Sequence, residues 1–318
     1  MIQIFRIQNK SGAYIEVSNY GATLVSVVTP DKSGELENII LSYNNPEDYY
    51  SDKYYLGSTI GRFANRISNA RFELDGKMFF LDENDGKNSN HGGFNGFNSK
   101  VFGYQINDHS IEFSYFSKDG EGGFPGNLQI YVTYSFSEDN VVTIEYRAIS
   151  DKLTIFNPTN HAYFNLSGKG KNILDHELKV YADKYLESDE QFLPTGRILD
   201  MSDSPYDFRE YNTFSELMPL KNEIIKGYNT YFIANSTDAC KLLASLKEKR
   251  SGRQVDIYST MPGIQVYTGD YLSDPFIPFA GVALEAQFYP DTLNHSDFPS
   301  CVLYPDKEIR HIIKYCMK

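Results

Sequence analysis

The stretch LQIYVTYSF, residues 128–136, alternates without a break. Leu128, Ile130, Val132, Tyr134 and Phe136 occupy one set of positions, and Gln129, Tyr131, Thr133 and Ser135 the other. A strand sends successive side chains to opposite faces, so this period of two predicts a strand with one apolar face. Similar runs lie at Gln3–Ile7, Thr23–Val28, Val141–Arg147, Glu177–Tyr181, Gln254–Ser259, Gly263–Tyr267 and Val282–Phe288. Turn-forming residues separate them at Asn9–Gly12, Asp75–Gly76, Asp119–Gly120 and Ser251–Gly252. Val, Ile, Tyr and Phe, which favour strands, are abundant. Residues 240–249 (CKLLASLKEK) admit a helix, but they run into Ser251–Gly252 and a further strand-like run, which favours a hairpin. No repeat, linker or low-complexity tract interrupts the pattern. The expectation is an all-β chain, residues 1–318 forming a single large domain of stacked or wrapped sheets.

Composition narrows the function. The 318 residues carry a net charge of −12, which argues against nucleic acid, whose phosphates demand a basic surface. It argues equally against an anionic membrane. The first residues, MIQIFRIQNKSG, do not resemble a secretion signal, and no apolar run approaches membrane-spanning length. The three cysteines are far apart and form no CxxC, so neither a disulfide framework nor a zinc site is expected, and a reducing cytoplasm fits. HExxH, GxGxxG and GxxxxGK[ST] are all absent, leaving no sequence support for a metal or a nucleotide cofactor.

Chemistry enters where polar groups interrupt apolar alternation. In TNHAYFNL (159–166), Ala162, Phe164 and Leu166 fall on one face, and His161, Tyr163 and Asn165 on the other. In VALEAQFYPD (282–291), Glu285 and Gln287 oppose Val282, Leu284, Ala286 and Phe288; in GIQVYTGD (263–270), Gln265 and Tyr267 oppose Ile264 and Val266. A carboxylate in so apolar a strand is costly to bury unless it is paired or functional. A histidine facing a carboxylate can give one proton and take another, which is general acid–base catalysis. GRFANRI (61–67) and HGG (91–93) add Asn65, Arg66 and His91 beside turn-forming glycines. His109, His176, His295 and His311 lack such surroundings and read as structural, and Gly92, Gly93 and Gly126 read as turn formers. Asp270 and Asp291 are weaker partners for Glu285, because Gly269 and Pro290 beside them mark turns.

Taken in order, GRFANRI, HGG, GFPGNL (123–128), NPTNHAYFNL (157–166), PYDFR (205–209), YTGDYL (267–272) and LEAQFYPD (284–291) make the chain resemble the aldose 1-epimerase, or galactose mutarotase, family over almost its whole length. The resemblance implies a β-supersandwich with an open sugar cleft, and neither a metal nor an organic cofactor. It also implies a monomer or weak homodimer acting on a small aldose such as galactose or glucose. By it, Glu285 is the base that takes the anomeric hydroxyl proton and His161 the acid that protonates the ring oxygen. His91 holds the ring-oxygen region, and Asn65, Arg66 and Gln265 bond sugar hydroxyls.

One position departs from the family pattern. Asn229 and Thr230 stand where an aspartate, commonly followed by histidine, is usual; Asn90 also precedes His91 in place of leucine. Asn229 either weakens hydroxyl binding or suits a sugar that presents an acceptor there. Two rival functions stay open. A hexose-phosphate epimerase would want several cations at the cleft, for which Arg62 and Arg66 are the candidates. A sugar-binding protein would have kept the fold and lost turnover.

Overall fold

In a computed structural model, which describes every residue except 169–170, 219, 222–223 and 226, the regular secondary structure is mostly strand, with only short helices. Two large antiparallel sheets stack. The first has nine strands, in the order Gly103–Asn107, Ser110–Ser117, Leu128–Phe136, Val141–Ser150, Ile309–Met317, Gln254–Ser259, Lys241–Lys247, Glu177–Val180 and Asn212–Thr213. The C-terminal strand thus lies in the middle, bonded on one side to Val141–Ser150 and on the other to Gln254–Ser259. The second sheet has six strands, in the order Tyr163–Phe164, Val282–Gln287, Gly263–Tyr267, Asn229–Ala234, Ala182–Ser188 and Pro194–Asp200.

The alternation expected of 128–136 is realised residue by residue. Leu128, Ile130, Val132, Tyr134 and Phe136 are buried, and the residues between them only partly so. Their faces meet Val142, Ile144 and Tyr146, Ile313 and Tyr315, and, from the opposite sheet, Phe232, Ile264, Val266, Val282, Leu284 and Ala286 in one core. Side chains such as these each contribute roughly 1.5–3 kcal/mol on burial, so the sandwich is held mainly by this shared layer. Residues 240–249 form half of a hairpin, Lys241–Lys247 pairing with Gln254–Ser259. The turns at Asp75–Gly76, Gly120 and Gly252 show the left-handed backbone that such corners require. Among the described residues no helix is long and apolar enough to cross a membrane.

TNHAYFNL departs from the expected continuous strand. Thr159–Asn160 pairs with Thr59–Ile60, while Tyr163–Phe164 pairs with Val282–Gln287. His161 and Ala162 bridge the two. The His161 N–H donates to the Ser58 carbonyl, and the His161 carbonyl accepts from the Gly57 N–H. Ala162, Phe164 and Leu166 do enter the main core, and His161 and Tyr163 do face the other way. Asn165 does not join them: its amide donates to the carbonyls of Lys171 and Ala280.

Candidate active site

The six-stranded sheet buries one face in the main core and turns the other toward a cleft. On Val282–Gln287, whose residues are all buried, Glu285 points to the cleft side; on Gly263–Tyr267 the residue directly across is Gln265. Tyr267 in turn lies opposite Asn229. Flanking this row are two small apolar clusters, one around Tyr163, Ala283 and Leu272, the other around Leu186, Tyr231 and Tyr289. Between them is a cavity of about 260 Å³ lined by Asn65, Arg66, His91, His161, Asn229 and Glu285, together with Tyr55, Tyr163, Tyr267 and Phe192.

At its floor the Nε2 of His161 lies 3.6 Å from Oε1 of Glu285, with both side chains almost wholly buried. The other carboxyl oxygen of Glu285 and the Nδ1 of His161 have no hydrogen-bond partner in the protein. Burial pushes the Glu285 carboxyl up to about 8, against a smaller opposing pull from Arg66. The same burial pushes His161 down to about 4. Each shift disfavours the charged form. The attraction between a carboxylate and an imidazolium at 3.6 Å acts against both shifts. The two ways of placing one proton on the pair are thereby drawn together in energy.

His91 has a left-handed backbone (φ 53°) and its ring meets that of His161 edge-on at 5.3 Å. Its Nδ1 accepts the Asn65 N–H at 3.2 Å. In the neutral ring the proton is therefore on Nε2, a donor. Burial first, then the neighbouring His161 and Arg66, hold His91 well below the ordinary histidine range, so it stays neutral. Gly92 ties the HGG turn to GRFANRI: at φ 89° a Cβ would sit 2.0 Å from the Gly61 carbonyl oxygen, so only glycine fits.

Arg66 is aimed by two contacts. Its Nε donates to Asp85 Oδ2 at 2.7 Å and its guanidinium lies 5.2 Å over the Phe192 ring. Asn65 turns its side-chain Oδ1 back to accept the Arg66 N–H. Gln265 is buried, and its Nε2 donates to Asn229 Oδ1 at 2.6 Å. Its nearest bond is thus to Asn229, which it orients.

Arg62 is not at the cleft. Its buried guanidinium donates to Ser117 and to the carbonyls of Ser117, Lys118, Pro125 and Gly126. That removes one of the two cations the sequence offered for a phosphosugar, leaving Arg66, with Lys53, on the cavity lining. The Asp291 carboxylate accepts from the Ser68 N–H and from Asn294, and His176 Nε2 accepts the Leu166 N–H; both are structural.

His91, His161 and Glu285 bring ligand-type atoms within 4.8 Å of one another, the one such trio among the described residues. Their protonation opposes a metal. His91 accepts a backbone N–H on Nδ1, so the nitrogen left over carries the proton, and Glu285 is biased toward the neutral acid.

Tyr55 and Phe192 escape a sequence reading. The Tyr55 ring packs against both His91 (4.8 Å) and His161 (5.8 Å). Both residues sit in left-handed backbone outside any alternating run. Tyr163 and Tyr267 carried a signal, since alternation places them beside His161 and Gln265; the His161 and Tyr163 rings are 4.9 Å apart.

Comparison with known proteins gives the family. A family model described as aldose 1-epimerase matches residues 3–316. The chain is 35% identical over 306 residues to galactose mutarotase of Rattus norvegicus, covering 93% of this chain and 89% of that protein. It is 34% identical over 328 residues to aldose 1-epimerase of Escherichia coli (strain K12), covering 98% and 94%. An aldose epimerase homologue from C. elegans superposes with a TM-score of 0.95 at 28% identity, covering 100% of this chain and 99% of that one. With the motifs, the stacked sheets and these matches in agreement, the chain belongs to the aldose 1-epimerase family.

Proposed function

We propose that this protein interconverts the α and β anomers of a free aldose, with Glu285 as base and His161 as acid. The observation that carries the reading is the buried His161–Glu285 pair, 3.6 Å apart at the floor of a cavity suited to one sugar ring. Its volume of about 260 Å³ is at the small end for ligand sites.

The reaction needs one proton on the pair. In the opening half, the Glu285 carboxylate takes the proton from the anomeric hydroxyl. The O1 electrons form the carbonyl, the bond from C1 to the ring oxygen breaks, and His161 imidazolium protonates that oxygen. The pair is left as carboxylic acid and neutral imidazole, the state that burial favours in the empty cleft. After rotation about C1–C2, His161 removes the proton from the returning hydroxyl. Glu285 then protonates the carbonyl oxygen. Each half-reaction restores what the other requires, so no proton need come from solvent. His91, through Nε2–H, donates to the ring-oxygen region, and Asn65, Arg66 and Asn229 hold hydroxyls.

All of these groups come from one chain, which supports a working monomer or weak homodimer. The shared core supports residues 1–318 as one domain, and the three free cysteines support a reducing cytoplasm. Polarimetry on freshly dissolved α-galactose and α-glucose tests the activity. Accelerated approach to the equilibrium rotation is expected, and the spontaneous rate with every aldose would leave only a sugar-binding protein.

A further inference from the structure

Past Asn229 and Phe192 the cleft opens into a second cavity of about 340 Å³, and those two residues are walls of both. Tyr185 and Tyr206 form one side, their rings 4.6 Å apart. Glu187, Ser188 and Asp189 form another, and among the described residues no lysine or arginine lines it. Aromatic faces and hydrogen-bonding groups suit a polyhydroxylated ring; a phosphate or carboxylate would meet Glu187 and Asp189, while the nearby Arg197 is already engaged by Glu187.

Asn229 is the gate between the cavities, and its chemistry is directional. Gln265 occupies its Oδ1, which leaves the Nδ2 donors for a ligand. A free hydroxyl can satisfy an acid or an amide at this position. A glycosidic oxygen has no hydrogen and can only accept, so it suits a donor and is repelled by a carboxylate.

We propose that the preferred substrate is a reducing disaccharide. Its reducing ring lies against the His161–Glu285 pair, its glycosidic oxygen accepts from Asn229, and its second ring occupies the Tyr185–Tyr206 cavity. This assignment rests on the anomer-interconversion reading. The linkage itself is neither made nor broken.

The test is polarimetry on fresh α-lactose, β-maltose, melibiose and laminaribiose, which differ in linkage position, beside α-glucose and α-galactose. For at least one disaccharide, kcat/KM should exceed that of both monosaccharides by about tenfold, as an added ring-stacking contact with its burial would give. Ser188→Trp changes an exposed position and fills the second cavity. It should remove that advantage while leaving glucose turnover within about twofold, and Tyr206→Ala should act in the same direction. Asn229→Asp should reverse the order, lowering disaccharide turnover and lowering KM for the free hexoses. The proposal is overturned if both monosaccharides match or exceed every disaccharide, or if Ser188→Trp slows both classes alike. Failure of the parent protein on every sugar would instead overturn the anomer-interconversion reading.

Discussion

His161 and Glu285 face each other at 3.6 Å with both side chains almost wholly buried, and burial moves their proton affinities in opposite directions. Two titrating groups whose surroundings push them apart are the usual signature of an acid–base couple.

Glu285→Gln should cut turnover by about 10²–10⁴-fold, the range for loss of a general acid–base group. Gln keeps the shape and a hydrogen bond, so sugar binding should persist in a calorimetric titration. Rates within a few-fold of the parent would show that Glu285 is not the base.

His161→Asn should slow mutarotation comparably and leave the fold intact. The His161 backbone bonds to Gly57 and Ser58 do not depend on the ring, and its Nδ1 has no protein partner to lose. Circular dichroism melts run beside the polarimetry separate the two effects.

The pH–rate profile should be a broad bell. Below about 4 His161 gains a second proton for the pair, and above about 8 Glu285 gives up the only one, so activity falls on both sides. Glu285→Gln should erase the alkaline limb of whatever residual rate survives.

Stability should shift with pH in a defined direction. The unfolded Glu285 carboxyl ionises near 4.5 and the folded one near 8, so the folded state binds the extra proton between those values. Its contribution is therefore present at acid pH and is lost as pH rises toward 8. Glu285→Gln should stabilise the protein at pH 8 by up to about 5 kcal/mol and much less at pH 5. His161 acts oppositely, its contribution disappearing as pH falls from 6.5 toward 4. Thermal melts of parent and variant at the two pH values check the sign.

Arg62→Met should destabilise by about 3–5 kcal/mol, because several buried carbonyls lose their donor at once. The protein that remains folded should keep its KM, since Arg62 touches no part of the cleft. A raised KM in folded protein would return Arg62 to the sugar.

Most of this was legible in the sequence where alternation is local. Leu128–Phe136, Gln254–Ser259 and Gly263–Tyr267 begin and end where the pattern says they should. Glu285 announced itself as a charge in an apolar strand. What alternation cannot carry is a change of partner in mid-run. TNHAYFNL looks continuous, yet its halves join different sheets, and Asn165 leaves the face shared by its neighbours. Tyr55 and Phe192 were silent for a related reason. Their positions depend on left-handed turns that bring distant segments together, and no window of sequence contains both sides of such a contact.

The placement of Glu285 and Gln265 directly across from each other on neighbouring strands has a consequence for inheritance. One residue gained or lost within Val282–Gln287 would turn the carboxylate into the core and Leu284 or Ala286 into the cleft. A change of two would restore the facing. The loops that carry Tyr55 and Phe192 are under no such constraint. Inside the strands, descent is constrained by parity.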